Sequence, residues 1–224
     1  MKRAALFGLS LAVLLAAAPS RAIQDFTPPW VANPSDPQWA GGSTTSVSWE
    51  FWGNPLGTTT PQHVNNPFGT PQFVPIGMSP QFEPNGPGYT GVNTWHVDVT
   101  DGGFQLLIPN DPVPRPQKMI FLQFTSDKAP SAAPSSSPAG STTSVGIAGH
   151  GPSSGGDAWY TYGYSMTIQP NPPFEWIYVS FPISTNIGEI DVATICYVPE
   201  PGTLLLLGFG SAGMAVASRR RLGG

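Results

Sequence analysis

The sequence predicts an all-β domain, an antiparallel β-sandwich resembling a jelly roll, with one apolar helix at each end of the chain. The first observation is composition: all seven Trp, all six Tyr and ten of the twelve Phe lie between Ile23 and Val198, among many Thr, Val, Gly and Pro. These residues favour strands and turns over helices. The second is that apolar and polar residues alternate in several segments, as in half-buried strands. The third is that this region has no helical period of useful length.

The strands are predicted in order along the chain. Apolar residues alternate with polar ones over residues 46–51 and again over 94–99. Asp101, followed by two glycines, supplies a turn before a third strand at 104–108, which predicts a hairpin with the strand before it. Further strands are predicted at 119–125, 159–168, 176–181 and 188–197. Seven or eight strands with turn-rich connections favour a sandwich.

Two stretches fall outside these strands. Residues 129–156 are almost wholly Ala, Pro, Ser, Thr and Gly, and with nothing large to bury they are predicted to form a long flexible loop. Residues 53–87, rich in Pro and Gly with scattered Phe, are predicted to pack as irregular loops over the sheets. Residues 23–197 together are predicted to form one domain, long enough to bury a core.

The N-terminal segment, residues 1–22, has the pattern of a signal peptide. Two basic residues precede an apolar run over 4–18, and small residues at Ser20 and Ala22 suit a signal peptidase. Cleavage is predicted between Ala22 and Ile23. The chain is therefore expected to leave the cytoplasm through the Sec translocon.

The C-terminal segment, residues 198–224, contains a short Pro-rich motif, an apolar run and a basic cluster. The two prolines of the motif disfavour helix, so a helix can begin only after Gly202. The uncharged run over 203–218 would span roughly 24 Å as a helix, close to the lower limit for crossing a bilayer. Three arginines then hold the far end in the cytoplasm. They are Arg219, Arg220 and Arg221.

This arrangement resembles the PEP-CTERM sorting signal of exported bacterial proteins. The matching motif residues are Val198, Pro199, Glu200 and Pro201. The resemblance implies recognition by an exosortase, a membrane protease that cuts near the motif after the helix has held the protein transiently in the inner membrane. It also implies delivery to the cell surface, the outer membrane or the extracellular matrix. A permanent tail anchor is the alternative.

Four stretches of the body carry a second resemblance. They are residues 49–52, 65–71, 108–110 and 118–124. They are similar to recurring stretches in exported PEP-CTERM proteins of planctomycete-type bacteria. The resemblance implies an extracellular β-domain and no particular reaction.

The charge of the body limits its partners. Between residues 23 and 198 three basic residues stand against twelve acidic ones, a net charge of −9. Phosphate backbones would repel such a domain, so nucleic-acid binding is excluded. Divalent cations, cationic surfaces and neutral glycans are compatible partners. No cofactor is expected; calcium stays open because carboxylates are plentiful, although no ligand set can be named.

Two motifs contain residue types that are used in catalysis or metal binding. Residues 151–155 satisfy G-x-S-x-G beside His150, but they lie in low-complexity sequence without the strand and helix that a nucleophile elbow needs. His96 and Asp98 share a strand face near Asp101, yet a transition-metal site needs three or four convergent ligands and few other imidazoles are present. A polar outward face is the simpler interpretation.

Sugar recognition is the remaining chemical hypothesis. Glu50 and Glu175 each lie between aromatic residues, but a glycosidase needs two carboxyl groups opposed across a sugar. Tyr160, Tyr162 and Tyr164 alternate on one strand face and form the best candidate platform for a glycan if that face is exposed.

Cys196 is the only cysteine, which excludes an internal disulfide. It is expected to be an ordinary buried residue, with an intermolecular bond or a role in processing as alternatives. The sequence therefore favours an exported surface or exopolysaccharide-matrix structural protein that is not an enzyme. A carbohydrate-binding module is the second hypothesis and a secreted hydrolase the third.

Overall fold

A computed structural model gives the fold of the body. It describes residues 26–39, 41–52, 54–86, 89–152 and 158–197. The predicted signal peptide, the sorting motif and the C-terminal apolar run lie outside these residues. Within them, no helix is long and apolar enough to span a bilayer.

The described residues contain twelve strands and two short helical elements. The helical elements are α1 (Pro29–Ala32) and a 3-10 turn (Pro37–Trp39). The first six strands are β1 (Ser43–Glu50), β2 (His63–Asn65), β3 (Gln72–Ile76), β4 (Met78–Gly86), β5 (Tyr89–Val97) and β6 (Gly103–Pro109). The others are β7 (Gln117–Ser126), β8 (Ser135–Ser137), β9 (Ser141–Pro152), β10 (Ala158–Ile168), β11 (Phe174–Ser180) and β12 (Asn186–Tyr197).

The strands form two antiparallel sheets. The large sheet runs β2-β1-β12-β7-β10-β9, and β5 joins it by pairing with β12 and with β4. The small sheet runs β3-β6-β11-β8. Strand β12 is central, because β1 pairs with it from Ser43 opposite Cys196 to Glu50 opposite Glu189, while β7 pairs along its other side.

The core lies between the two sheets. It combines inward side chains of the large sheet, such as Trp49 and Phe124, with inward side chains of the small sheet, such as Phe104 and Ile177. The rings of Phe104 and Phe124 meet edge to face across the interface, with centroids 5.9 Å apart. This packing confirms the predicted all-β, antiparallel architecture.

A second apolar cluster covers part of the outer face of the large sheet. Trp30 and Trp39 from the N-terminal segment pack there against Phe121 and Tyr197. The Trp39 and Tyr197 rings lie 5.0 Å apart at 72°. This contact holds the segment before β1 against the sheet.

All seven strands predicted from alternation and composition are present, but the predicted hairpin is wrong. Strand β5 belongs to the large sheet and β6 to the small sheet, so they do not pair. Asp101 adopts a left-handed φ of 58° where the chain crosses between the sheets. Both strands bury an apolar face, and these faces meet across the core instead of lying side by side.

Both stretches predicted as loops contain strands, which corrects those predictions. Within 129–156, β8 and β9 form edges of the two sheets, since main-chain hydrogen bonds at an edge need no large side chain to bury. Within 53–87, β2, β3 and β4 pair, although β3 and β4 contain prolines. Strands β3 and β4 each pair with a single neighbour, and proline is tolerated at such edges.

Candidate functional site

A row of polar side chains crosses the outer face of the large sheet. Ser48 on β1 lies opposite His63 on β2 and opposite Asp191 on β12, and Asp191 lies opposite Gln123 on β7. Directly opposed residues in an antiparallel sheet point to the same face. The pairing therefore lines up four hydrogen-bonding side chains across four strands.

A second row lies beside the first. Glu50 on β1 is opposite Glu189 on β12, and each is two residues from a member of the first row. Side chains two residues apart on a strand share a face. Three carboxyl groups, those of Glu50, Glu189 and Asp191, are thereby gathered on one wall.

A cavity of about 620 Å³, here called the acidic cleft, is lined by Phe26, Pro28 and members of these rows, and Glu189 lies beside it. The members that line it are Ser48, Glu50, His63, Gln123 and Asp191. The polar residues are well buried for an outer face: Glu50 is 7% exposed, Gln123 2% and Glu189 1%. The N-terminal segment before β1 contributes to this burial. The N–H of Phe26 donates to Oε1 of Gln123 at 3.3 Å.

Two glycines make room for the Phe26 ring. A Cβ atom at Gly146 or at Gly163 would lie 2.8 Å from a ring carbon of Phe26. The two glycines are paired on β9 and β10. Larger residues there would push the ring away, so the glycines help to position one side of the acidic cleft.

Hydrogen bonds hold the cleft side chains in place. Nε2 of Gln123 donates to Oδ2 of Asp191 at 3.1 Å. Nε2 of His63, a largely exposed side chain, lies 3.2 Å from Oε1 of Glu50. The main-chain N–H of Glu50 donates to Oε1 of Gln62 at 2.6 Å. The acidic cleft therefore has an ordered polar wall on one side and an exposed imidazole at its edge.

Asp191 has an altered acidity. Burial raises the pKa of this carboxyl to about 6, and the nearby Glu50 carboxyl adds to the rise. Hydrogen bonding to neighbouring side chains, such as the bond donated by Gln123, acts in the opposite direction. Around pH 6 Asp191 can therefore either donate a proton or accept a hydrogen bond from a ligand hydroxyl.

The sequence-predicted tyrosine platform is not exposed, which corrects that prediction. Tyr162 is 5% and Tyr164 9% exposed, and both rings stack on Phe124 in the core. Tyr160 packs against the same core. Burial also raises the pKa of Tyr162 to about 12. Alternation placed the three on one face correctly, but that face points inward.

His96, Asp98 and Asp101, which were predicted to form a polar outward face, do not converge on one point. Nδ1 of His96 lies 2.8 Å from Oδ1 of Asn186, while Asp98 and Asp101 are exposed. Nε2 of His150 lies 2.7 Å from Oγ1 of Thr161 on β10. Across the described residues, no three or more His, Cys, Asp or Glu side chains are grouped to hold a metal ion.

Other predicted residues fall in different places. Cys196 is buried and free, and its Sγ lies 3.3 Å from Oδ1 of Asn171, as expected for a packed residue. The G-x-S-x-G stretch extends beyond the described residues. Ala22, Ile23, the sorting motif and the arginine cluster also lie outside them.

Sequence reasoning identified Glu50 but missed most of its neighbours in the cleft. Ser48, Gln123 and Asp191 look like ordinary outward positions on alternating strands. Only the cross-strand register brings them together, and only the N-terminal segment buries them. Their one signal in the sequence is the run of polar residues at the outward positions of β1, which ends at the acidic Glu50.

Comparison with protein families found one match. Residues 198–221 match the PEP-CTERM protein-sorting motif. No curated protein and no solved structure matched the chain. The motif marks a secreted protein that transits the membrane and is sorted and processed by an exosortase, as the resemblance of the C-terminal segment implied.

Proposed function

We propose that the mature body is a structural protein of the cell surface or exopolysaccharide matrix. The observation that carries this proposal is the sorting motif at residues 198–221, directly after the last strand of the sandwich. The net charge of −9 over residues 23–198 supports a soluble domain that mixes with neutral or cation-bridged polysaccharide. The signal peptide at residues 1–22 completes the export route.

The proposal includes no catalytic step. A glycosidase places its two carboxyl groups on opposite sides of the scissile bond. The carboxyl groups of Glu50 and Asp191 in the acidic cleft, and of Glu189 beside it, all project from one sheet face. This arrangement suits hydrogen bonding to hydroxyl groups better than acid and base attack from two sides.

Mass spectrometry of protein recovered from the surface of the native cells tests the sorting route. We expect an N-terminus near Ile23 and a C-terminus that lacks residues 204–224. An intact C-terminus on most molecules would contradict exosortase processing and favour a permanent anchor. Protein found only in the inner membrane would contradict the surface or matrix role.

A second candidate function is binding of a neutral glycan in the acidic cleft. The supporting observation is the ordered row of carboxyl and amide groups beside Phe26 and Phe121, in a cavity of about 620 Å³. Sugar sites commonly combine hydroxyl-binding polar groups with aromatic rings. In this candidate, Gln123 and Glu50 bind sugar hydroxyls.

A glycan array with the mature chain, followed by titration of any hit, tests this candidate. We expect Glu50→Gln and Gln123→Ala to weaken binding at least about tenfold, the effect of losing a buried hydrogen bond to a ligand. Glu83→Gln, the same chemical change on β4 away from the cleft, serves as the matched control. Binding that survives both cleft substitutions would place the ligand elsewhere, and no binding would leave the structural role alone.

A further inference from the structure

Three polar residues end three apolar rows inside the sandwich. On β7, Lys118 continues the inward row of Ile120 and Leu122, and on β11, Glu175 continues the inward row of Ile177. Asn110, directly after β6, continues the inward row of that strand. Lys118 and Glu175 are 0% exposed and Asn110 is 4% exposed. At this end the apolar core is therefore bordered by an amine, a carboxyl and a carboxamide group.

One carboxyl group touches both of the other groups. Nζ of Lys118 lies 2.7 Å from Oε1 of Glu175. Nδ2 of Asn110 donates to Oε2 of Glu175 and, at 2.8 Å, to the main-chain carbonyl of Pro172. The main-chain N–H of Asn110 donates to the carbonyl of Pro173 at 3.0 Å, which fixes the residue further. Glu175 thus bridges an amine and an amide side chain.

Burial drives these groups toward their uncharged forms. It lowers the pKa of the Lys118 amine, and the facing carboxylate only partly restores that pKa. It also raises the pKa of the Glu175 carboxyl, against the attraction of Lys118. Two opposite charges away from water gain stability when the proton moves from the ammonium to the carboxylate. An uncharged amine is a nucleophile, and a protonated carboxyl is an acid.

We propose that Lys118 and Asn110 become joined by an intramolecular isopeptide bond, with Glu175 as the group that transfers the proton. Nζ of Lys118 attacks Cγ of Asn110 and forms a C–N bond. Glu175 gives its proton to Nδ2 and takes one from Nζ. The bond from Cγ to Nδ2 then breaks and ammonia leaves. One amine and one carboxamide yield one secondary amide and one ammonia, with no oxidant, reductant or cofactor.

The position of the bond suits an exported protein. It links β7 of the large sheet to the end of β6 in the small sheet, so it joins the two layers of the sandwich. With one cysteine in the chain, a disulfide within the chain cannot do this. The three residues lie between the sheets, whereas the acidic cleft lies on the outer face. The inference is therefore independent of the proposed function.

Trypsin digestion of the exported, full-length gene product under denaturing conditions, followed by mass spectrometry, tests the bond. Trypsin does not cut after Arg115, because Pro116 follows it, so Lys118 is the next cleavage site. In the cross-linked chain Lys118 is acylated and is not cut. We expect a peptide that continues to Lys128 and is lighter by about 17 Da, the mass of one ammonia.

Fragmentation of that peptide decides between the candidate bonds. A link between residues 110 and 118 supports the proposal. Cleavage after Lys118 with unmodified masses overturns the proposal. An amide between Lys118 and Glu175 also overturns it, and it would be recognised because it joins the peptide that ends at Lys128 to the following peptide, which contains Glu175, with the loss of one water, about 18 Da. This measurement needs no variant, so a folding defect cannot obscure it.

Two variants test the role of Glu175. Glu175→Gln keeps the shape but removes the transferable proton, and we expect the cross-linked peptide to disappear while circular dichroism still reports β structure. Asn110→Asp keeps Glu175 and can reach the same product by releasing water, so we expect the cross-linked peptide to persist at wild-type mass. A cross-link at the wild-type level in folded Glu175→Gln would overturn the assignment of proton transfer to Glu175.

Discussion

Glu50 and Glu189 face each other across the pairing of β1 and β12, and both are nearly inaccessible to solvent. Opposed like charges destabilise a sheet, and burial adds to this cost. Asp191 lies beside them, and burial raises the pKa of its carboxyl to about 6. The carboxyl groups in and beside the acidic cleft therefore destabilise the fold by an amount that depends on pH.

We expect Asp191 to make the fold less stable as the pH rises from about 4 to about 6. In the unfolded chain this carboxyl ionises near its ordinary pKa of 3.8, whereas in the folded chain it keeps its proton until about 6. The unfolded state therefore releases its proton first, and folding stability falls over that interval. Urea unfolding of wild type and Asp191→Asn across this range measures the effect.

The asparagine variant should lack this part of the pH dependence and should gain on wild type as the pH rises. Asp98→Asn, a change at an exposed position, is the control and should follow the wild-type curve. Parallel curves for wild type and Asp191→Asn would show that the carboxyl does not titrate between the two values.

Replacing Lys118 with Met should strongly destabilise the domain. The change leaves the Glu175 carboxyl buried without the amine that lies 2.7 Å from it. Leaving a buried polar group without its hydrogen-bond partner typically costs about 1–3 kcal/mol in the free energy of unfolding. Lys128→Met, at an exposed lysine, is the control and should cost much less. A loss no larger than that of the control would contradict a structural role for the pair.

Replacing Gly103 with Ala should also be destabilising. Gly103 begins β6, and a Cβ atom there would collide with the main-chain carbonyl of Val179 on β11. Because a paired strand cannot easily move, we expect a loss on the order of 2 kcal/mol, measured by urea unfolding. Gly149→Ala is the matched control, since its nearest neighbour is a Tyr160 ring carbon at an ordinary 3.6 Å. Equal stabilities of the two variants would contradict the tight packing at Gly103.

Replacing Arg219, Arg220 and Arg221 with Ser should weaken retention of the C-terminal end in the cytoplasm. Basic residues after an apolar run are what stop its translocation. Fractionation of cells and sizing of the mature protein measure the result, and Arg115→Ser in the body is the control. Processing and localisation identical to wild type would contradict a stop-transfer role for the cluster.

Local sequence patterns predicted the strands well, because alternation reports which side chains of a strand are buried. Val47 and Trp49, for example, lie in the core as predicted. The same patterns failed for pairing, since Glu50 and Glu189 are partners from distant parts of the chain. They also could not show which face of a strand is buried. The tyrosine row on β10 faces the core, because the small sheet covers that side of the large sheet.

The candidate site was less predictable than the fold for the same reason. The polar residues of the acidic cleft occupy outward positions, where alternation predicts contact with water. Their burial comes partly from Phe26, which reaches them only because glycines at positions 146 and 163 leave space for its ring. The sequence also did not predict the burial of Lys118, because a lone lysine before an apolar strand is usually exposed at the end of that strand.

The central place of β12 sets the order of events during export. This strand is the last of the described body, ends at Tyr197, and lies between β1 and β7. If export begins at the N-terminus, more than half of the chain must follow β1 before its partner β12 is outside, and such long-range pairing is slow. The large sheet can close only when residue 197 is outside. The sorting motif starts at the next residue, so the moment that completes the fold is also the moment that presents the cleavage signal to the membrane.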